Sequence, residues 1–485
     1  MSGTEPQDNM VNHNIDKGPE HDAYKISPSA SDEESQLSKR EGTLEEDHDV
    51  DVHCMSCCGR FDSHFANIHT DKTMHWMQGA TVMLAENISL GILSLPAVLA
   101  RLGLAGGVVA IVMLGLVSTY SGYVLWQYKM KYPHINNYGD LGEQLLGRFG
   151  KEFFGAAYVI YCIFCMASHL LTFTIAMNVL TKHVTCTIVW GVVGLFVFAA
   201  LSVPRTLKGL SVLSLISFLS IFSAVMLTII ALAVGPEAAA AVMTTKQSNF
   251  PEAFNSASNI VFAYGGHVAW ISFIDELREP KDFPKALVAQ QSMDLVLYTI
   301  AAVTIYHYAG VDVKSPALSS NSPTIKLIAW GIALPTIVIA GVIFAHVTAK
   351  YAFRRVFVGT KYLHSAGLVA TSVWCGICFG MWFIAWVIAE SIPNFSDLLG
   401  FISALFASWF SYGVPGVCWF VINWQAGFRG KGVKKWWLAF LNVGLILLGF
   451  LICGAGLYAS GWSMANNAAK NEGKSWSCAD NSLGN

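Results

Sequence analysis

A carboxylate, an amide, a hydroxyl and a glycine sit together in the middle of an otherwise apolar stretch: Glu86-Asn87-Ile88-Ser89-Leu90-Gly91, with Pro96 close behind. A carboxylate at the centre of a bilayer costs at least ~2.5–3.5 kcal/mol, and Gly and Pro weaken the backbone bonding that a lipid-exposed helix must complete internally. A second apolar stretch is interrupted at Tyr264-Gly265-Gly266-His267. Such interruptions suit recognition rather than bond cleavage. Free N–H groups at a half-helix N-terminus attract a carboxylate, and free C=O groups at a half-helix C-terminus attract an ammonium. An α-amino acid carries both on one carbon. The candidate substrate-binding residues are therefore Asn87, Ile88, Ser89, Leu90, Gly91, Tyr264, Gly265 and Gly266.

Glu86, His267 and Glu276 are the candidate coupling or gating groups. Each has a plainer reading: Glu86 bonded to neighbouring helices, His267 a hydrogen-bonded structural histidine, Glu276 an interfacial charge. His169 and His346 read as helix-packing residues. No other strongly charged group stands out near the two interruptions, so the expected substrate is neutral, and Tyr264, Trp270, Phe410 and Tyr412 favour apolar side chains. No H-E-x-x-H, G-x-S-x-G or catalytic carboxylate pair is found, so an enzyme is not expected. No cofactor is expected either; the coupling ion is the proton, with sodium left open. Protons are favoured because carboxyls removed from water can titrate near neutral pH.

The elements that must position these groups are membrane helices. The 485 residues are 54% hydrophobic and 13% charged, against roughly 25% charged in soluble domains, and the mean hydropathy is +0.49. Residues 1–72 carry 16 Asp/Glu and 6 Lys/Arg; this acidic, weakly apolar stretch reads as a disordered cytosolic tail open to cytosolic regulators, and it lacks the apolar run of a signal peptide. Residues 73–462 read as the transmembrane domain and 463–485 as a short extracellular tail. Most of the eleven cysteines fall in apolar segments and read as free thiols rather than a disulfide framework. Cys54, Cys57 and Cys58 lack the second ligand pair of a zinc site.

About 20 apolar residues make a crossing, and that template predicts eleven: 76–100, 104–128, 155–181, 186–203, 210–234, 253–277, 287–309, 325–349, 365–390, 398–424 and 435–460. Connectors after even-numbered crossings hold 17 Lys/Arg and those after odd-numbered crossings, with the C-terminus, hold 7. That bias puts the N-terminus in the cytosol and the C-terminus outside. Interruptions in crossings one and six are the pattern of two inverted five-helix repeats. The expected fold is all-α and integral to the membrane. No nucleic-acid partner is expected; the partners are the lipid bilayer and the substrate.

Gly91-Ile92-Leu93-Ser94-Leu95-Pro96 resembles the G-I-L-x-L-P of the amino acid/auxin permease family, and Gly266-His267 followed by Glu276, Pro280 and Phe283 is similar to that family's sixth-helix pattern. Within it the chain looks most like filamentous-fungal permeases for neutral amino acids. The resemblance implies a secondary active transporter, a proton symporter that imports neutral aliphatic and aromatic amino acids at the plasma membrane by alternating access. Ala85-Glu86 stands near where sodium-coupled members carry N-A, a departure that leaves the ion open. A nutrient receptor on the same fold, or a channel, are the competing readings.

Overall fold

The computed structural model describes residues 74–205, 210–235, 242–363, 365, 367–425, 433–469 and 474–483. The acidic tail and its Cys54–Cys58 cluster lie outside the described residues. Regular structure among those described is helical: α1 (Trp76–Gly91), α2 (Leu95–Leu102), α3 (Leu104–Lys131), α4 (Tyr138–Thr181), α5 (Thr187–Ser202), α6 (Leu210–Val234), α7 (Phe250–Ala263), α8 (His267–Glu276), α9 (Phe283–Ala309), α10 (Pro323–Phe357), α11 (Leu368–Ser391), α12 (Phe395–Ile402), α13 (Val414–Gln425) and α14 (Val433–Ala469). A π-helical stretch, Ser403–Gly413, joins α12 to α13.

Nine of the described helical segments are long and apolar enough to cross a membrane, and α1 with α2 form a tenth, bent by 54°. Helix α5 is apolar but only 16 residues long. Their outer faces carry exposed Leu116, Phe196, Leu219, Ile230 and Phe450, which would be unfavourable in water and is ordinary against lipid. Inside, α4 packs on α5, α10 and α11, while α1 lies against α6 and α9, and α7 against α12 and α14.

Several boundaries differ from those expected. Helix α4 starts at Tyr138, well before residue 155, and kinks at Gly147, whose φ of 65° favours glycine. Helix α14 continues to Ala469, past the expected start of the outer tail. The π-helical stretch had no signature in composition. The cysteine reading also needs correction: Cys186 and Cys478 form a disulfide across 292 residues, a pairing that spacing alone does not reveal. The bond ties the segment 474–483 back onto the bundle, where Asn481 bridges Asn178 (2.8 Å) and Thr174 (2.9 Å), and Thr187 donates to the Ala479 carbonyl at 2.6 Å.

Before α1, Met74 pairs with the chain after α8, its N–H donating to Glu276 O at 3.2 Å and its O accepting from Arg278 N at 2.9 Å. Nearby, Lys129 at the end of α3 is buried rather than a loop charge. Its ammonium pairs with Asp275 of α8 at 2.7 Å and donates to the carbonyls of Pro133 and Ile135. Removing one partner of a buried pair costs ~3–5 kcal/mol; the lower end applies here because the Asp275 side chain keeps 24% exposure. Lys129→Met is expected to lower the amount of folded protein in the membrane and the detergent-solubilised melting temperature. Lys129→Met with Asp275→Leu should recover part of that loss, and the melting curves check it.

Candidate functional site

The two interruptions meet at mid-bundle. The second falls where the Gly pair predicts it: α7 ends at Ala263, Tyr264 and Gly265 turn the chain, and Gly266 opens α8. The first lies later than expected. Glu86 through Gly91 are all helical, and the chain breaks at Ile92–Ser94, with Pro96 in the first turn of α2, a position that proline tolerates because the N–H it lacks is unpaired there anyway. The turn closes on itself through Leu93 N to Leu90 O and Ser94 N to Gly91 O, both 3.1 Å.

Side chains 86–91 therefore fan out from an intact helix, and each meets a different neighbour. Glu86 lies within electrostatic reach of Tyr158, Tyr161, Cys162 and Cys165 on α4, and of Glu276. Asn87 faces α9, its Nδ2 donating to Asp294 Oδ2 at 2.7 Å. Ile88 and Leu90 are buried in the apolar core and present nothing polar to the break. Ser89 reaches His169 Nε2 at 3.3 Å, while His169 Nδ1 lies 2.9 Å from Cys165 O. That carbonyl can only accept, so Nδ1 carries the proton and Nε2 accepts from Ser89. Gly91 packs on α7: a Cβ there would stand 2.6 Å from Ala263 Cα.

At the second break the freed carbonyls are capped by side chains from three helices. Tyr298 of α9 shares its single hydroxyl proton between Ala263 O and Asn87 O, 2.9 Å from each. Ser118 of α3 donates to Tyr264 O (3.2 Å), and Tyr161 of α4 to Gly265 O (3.4 Å). Such capping supplies partners that the interrupted backbone has lost. It also amends the expectation that these carbonyls stand free for an ammonium. His267, the first residue of α8, is fully buried; its Nε2 lies 2.8 Å from Ser121 Oγ and 3.1 Å from Ser118 O, with the Trp270 ring tilted by 38° and 4.0 Å away between ring centres. Tyr264 is buried against Tyr298 and Gly115, Tyr412 lies 6.4 Å from the His267 ring, and Phe410 O accepts from Tyr138 at 2.8 Å. Glu276 stands at the far end of α8, in electrostatic reach of Lys350, and His346 packs edge-on to Trp374.

Among these closely packed groups, Glu86, Asn87 and Gly266 keep partial exposure. Asn87 and Gly266 are adjacent: a Cβ on Gly266 would lie 2.7 Å from Asn87 Oδ1 and 2.9 Å from Trp270 Nε1. Neither glycine adopts a left-handed φ; what both require is room. Sequence reasoning missed Ser118, Ser121, Asp294 and Tyr298. The first two belong to the run of small residues Gly115, Ser118, Ser121 and Gly122 on α3, a helix-packing signal. Asp294 is a carboxylate inside an apolar stretch, as readable as Glu86. Its presence corrects the expectation that only Glu86 and His267 are ionisable near the breaks.

Comparison with known proteins agrees with the geometry. Residues 72–461 match the family described as transmembrane amino acid transporter protein. The N amino acid transport system protein of Neurospora crassa is 36% identical over 79% of this chain and 84% of its own. A transmembrane transporter of Fusarium pseudograminearum is 29% identical over 80% of this chain and 83% of its own. Amino acid transporter AVT1H of Arabidopsis thaliana is 23% identical over 78% and 87%.

Proposed function

The chain belongs to the transmembrane amino acid transporter family, and from that premise we propose that it imports neutral aliphatic and aromatic amino acids across the plasma membrane, driven by protons and working by alternating access. The family is one of membrane transporters rather than enzymes, and its cargo is amino acids. The observation that carries the finer reading is the pairing of Asn87 Oδ1 with Gly266. There the Asn87 side-chain oxygen meets the start of half-helix α8 beside the buried ring of Trp270, with Tyr264 buried just before His267 in the chain and Tyr412 buried near the His267 ring in space. A polar contact for the substrate backbone beside an apolar surround favours amino acids whose side chains carry no charge.

Eleven crossings in two inverted repeats fit the interruptions in the first and sixth. A cytosolic N-terminus and an outer C-terminus follow from the Lys/Arg bias, and the Cys186–Cys478 bond supports that orientation because disulfides persist on the oxidising side of a membrane. Glu86 is the proposed coupling carboxyl and Glu276, near Lys350, the inner gate.

The test is uptake of labelled phenylalanine into a transport-deficient host, with and without an inward proton gradient. Leucine and tryptophan are expected to block it, lysine and aspartate to leave it unchanged, and collapse of the gradient to remove accumulation. Efficient block by lysine or aspartate would overturn the assignment to neutral substrates; accumulation that follows sodium instead would overturn the proton.

A further inference from the structure

We propose that Asp294 is the positioning residue of the substrate site, turning the Asn87 amide so that its carbonyl oxygen faces the substrate's ammonium. This rests on the transport reading above and adds a residue to it. Asp294 lies in α9 and is fully buried. Its Oδ2 accepts from both Asn87 Nδ2 (2.7 Å) and Gln290 Nε2. One turn on, Tyr298 holds the backbone carbonyl of the same Asn87 together with that of Ala263, the last residue of α7. Helix α9 thus grips Asn87 twice, once by its side chain and once by its main chain, and fastens it to the second break.

The chemistry fixes the direction. As a carboxylate Asp294 can only accept, as its Oδ2 does from two amide nitrogens, so the Asn87 amide offers its N–H₂ to α9, and an amide that gives its nitrogen to one side shows its oxygen to the other. The other side is Gly266, where Oδ1 of Asn87 stands in the partly exposed notch. The three carbonyls of the second break are already capped by Tyr298, Ser118 and Tyr161, which leaves Asn87 Oδ1 as the acceptor presented there. Stability does not account for the arrangement. Asp294 Oδ1 has no hydrogen-bond partner, and a buried carboxyl with one oxygen unpaired is unfavourable beside an apolar side chain of similar volume.

The experiment compares phenylalanine with 3-phenylpropionate, which lacks only the amino group, as inhibitors of labelled phenylalanine uptake by the full-length protein. Wild type should discriminate strongly against the des-amino compound. In Asp294→Asn the residue at 294 both donates and accepts, the Asn87 amide loses its fixed direction, and two changes are expected. KM for phenylalanine rises about tenfold at similar maximal rate per transporter at the surface, and discrimination against phenylpropionate shrinks by a similar factor. Dependence on external pH should stay as in wild type. The exchange Asn87→Asp with Asp294→Asn keeps the same two groups at swapped positions, again leaves an oxygen facing Gly266, and should restore both KM and discrimination. That double variant also decides the matter if the single one does not reach the surface. Unchanged KM and discrimination in Asp294→Asn, or an exchanged pair present at the surface without discrimination, would overturn the proposal. A wild type that carries no amino acid would instead overturn the functional reading itself.

Discussion

Gly91→Val and Gly266→Val are each expected to abolish amino acid accumulation while the protein still reaches the membrane. At residue 91 the added Cβ meets Ala263 Cα at 2.6 Å, a backbone contact that no rotamer relieves, so α1 and α7 must part where the two broken helices touch. At residue 266 it meets Asn87 Oδ1 at 2.7 Å and fills the notch itself. Overpacking of this kind costs ~1–3 kcal/mol, which corresponds to a loss of about five- to 150-fold in rate when the strained state is the working one. The graded series Gly, Ala, Val at both positions, read as initial uptake per surface copy, checks it. Gly91→Ala should retain part of the activity if Ala263 can yield, and normal uptake by either valine variant would move the site away from the junction of the breaks.

Glu86→Gln is expected to lose concentrative uptake but keep exchange of labelled for unlabelled substrate. Glu86 is partly exposed, one residue before Asn87, and lies within electrostatic reach of Tyr158 and Tyr161 on α4 and of Glu276. In the proposed mechanism the proton is held there, apart from the Asn87 amide that hydrogen-bonds Asp294. Glutamine keeps the shape and removes the titration, so the inward proton gradient ceases to drive accumulation and the rate of exchange becomes flat with external pH. Unchanged accumulation with unchanged pH dependence would reduce Glu86 to a helix contact. The pair of variants Glu86→Gln and Asp294→Asn separates two roles: the first should alter pH dependence, the second affinity for the amino group.

How legible these features were depends on their range. The second break was legible because Gly265-Gly266 within an apolar run has few other uses, and the crossings were legible because bilayer thickness imposes a length. The exact place of the first break was not. Polar residues 86–91 suggested unwinding, but a helix accommodates them when each finds a partner on another helix: Asn87 on α9, Ser89 on α4. Those partners are 207 and 80 residues away, and local pattern carries no information about which helix will stand opposite. The same distance hid Tyr298 and the capped carbonyls. Asp294 was visible in the sequence but attracted no role, since its meaning comes only from the amide it faces. The π-helical stretch carries Phe410, whose carbonyl accepts from Tyr138, 272 residues away.

The Cys186–Cys478 bond sets a parity condition on topogenesis. Two cysteines joined on one face of a membrane must be separated by an even number of passages through it. After Cys186 the described chain has seven segments long enough to cross, from α6 to α14, preceded by the 16-residue α5. Seven crossings would leave the two sulfurs on opposite faces; eight bring them together, so if all seven long segments cross, the short helix must cross as well. Because Cys478 follows α14, the bond closes only once the last helix has been threaded, and the oxidised chain carries a covalent record that its insertion was completed.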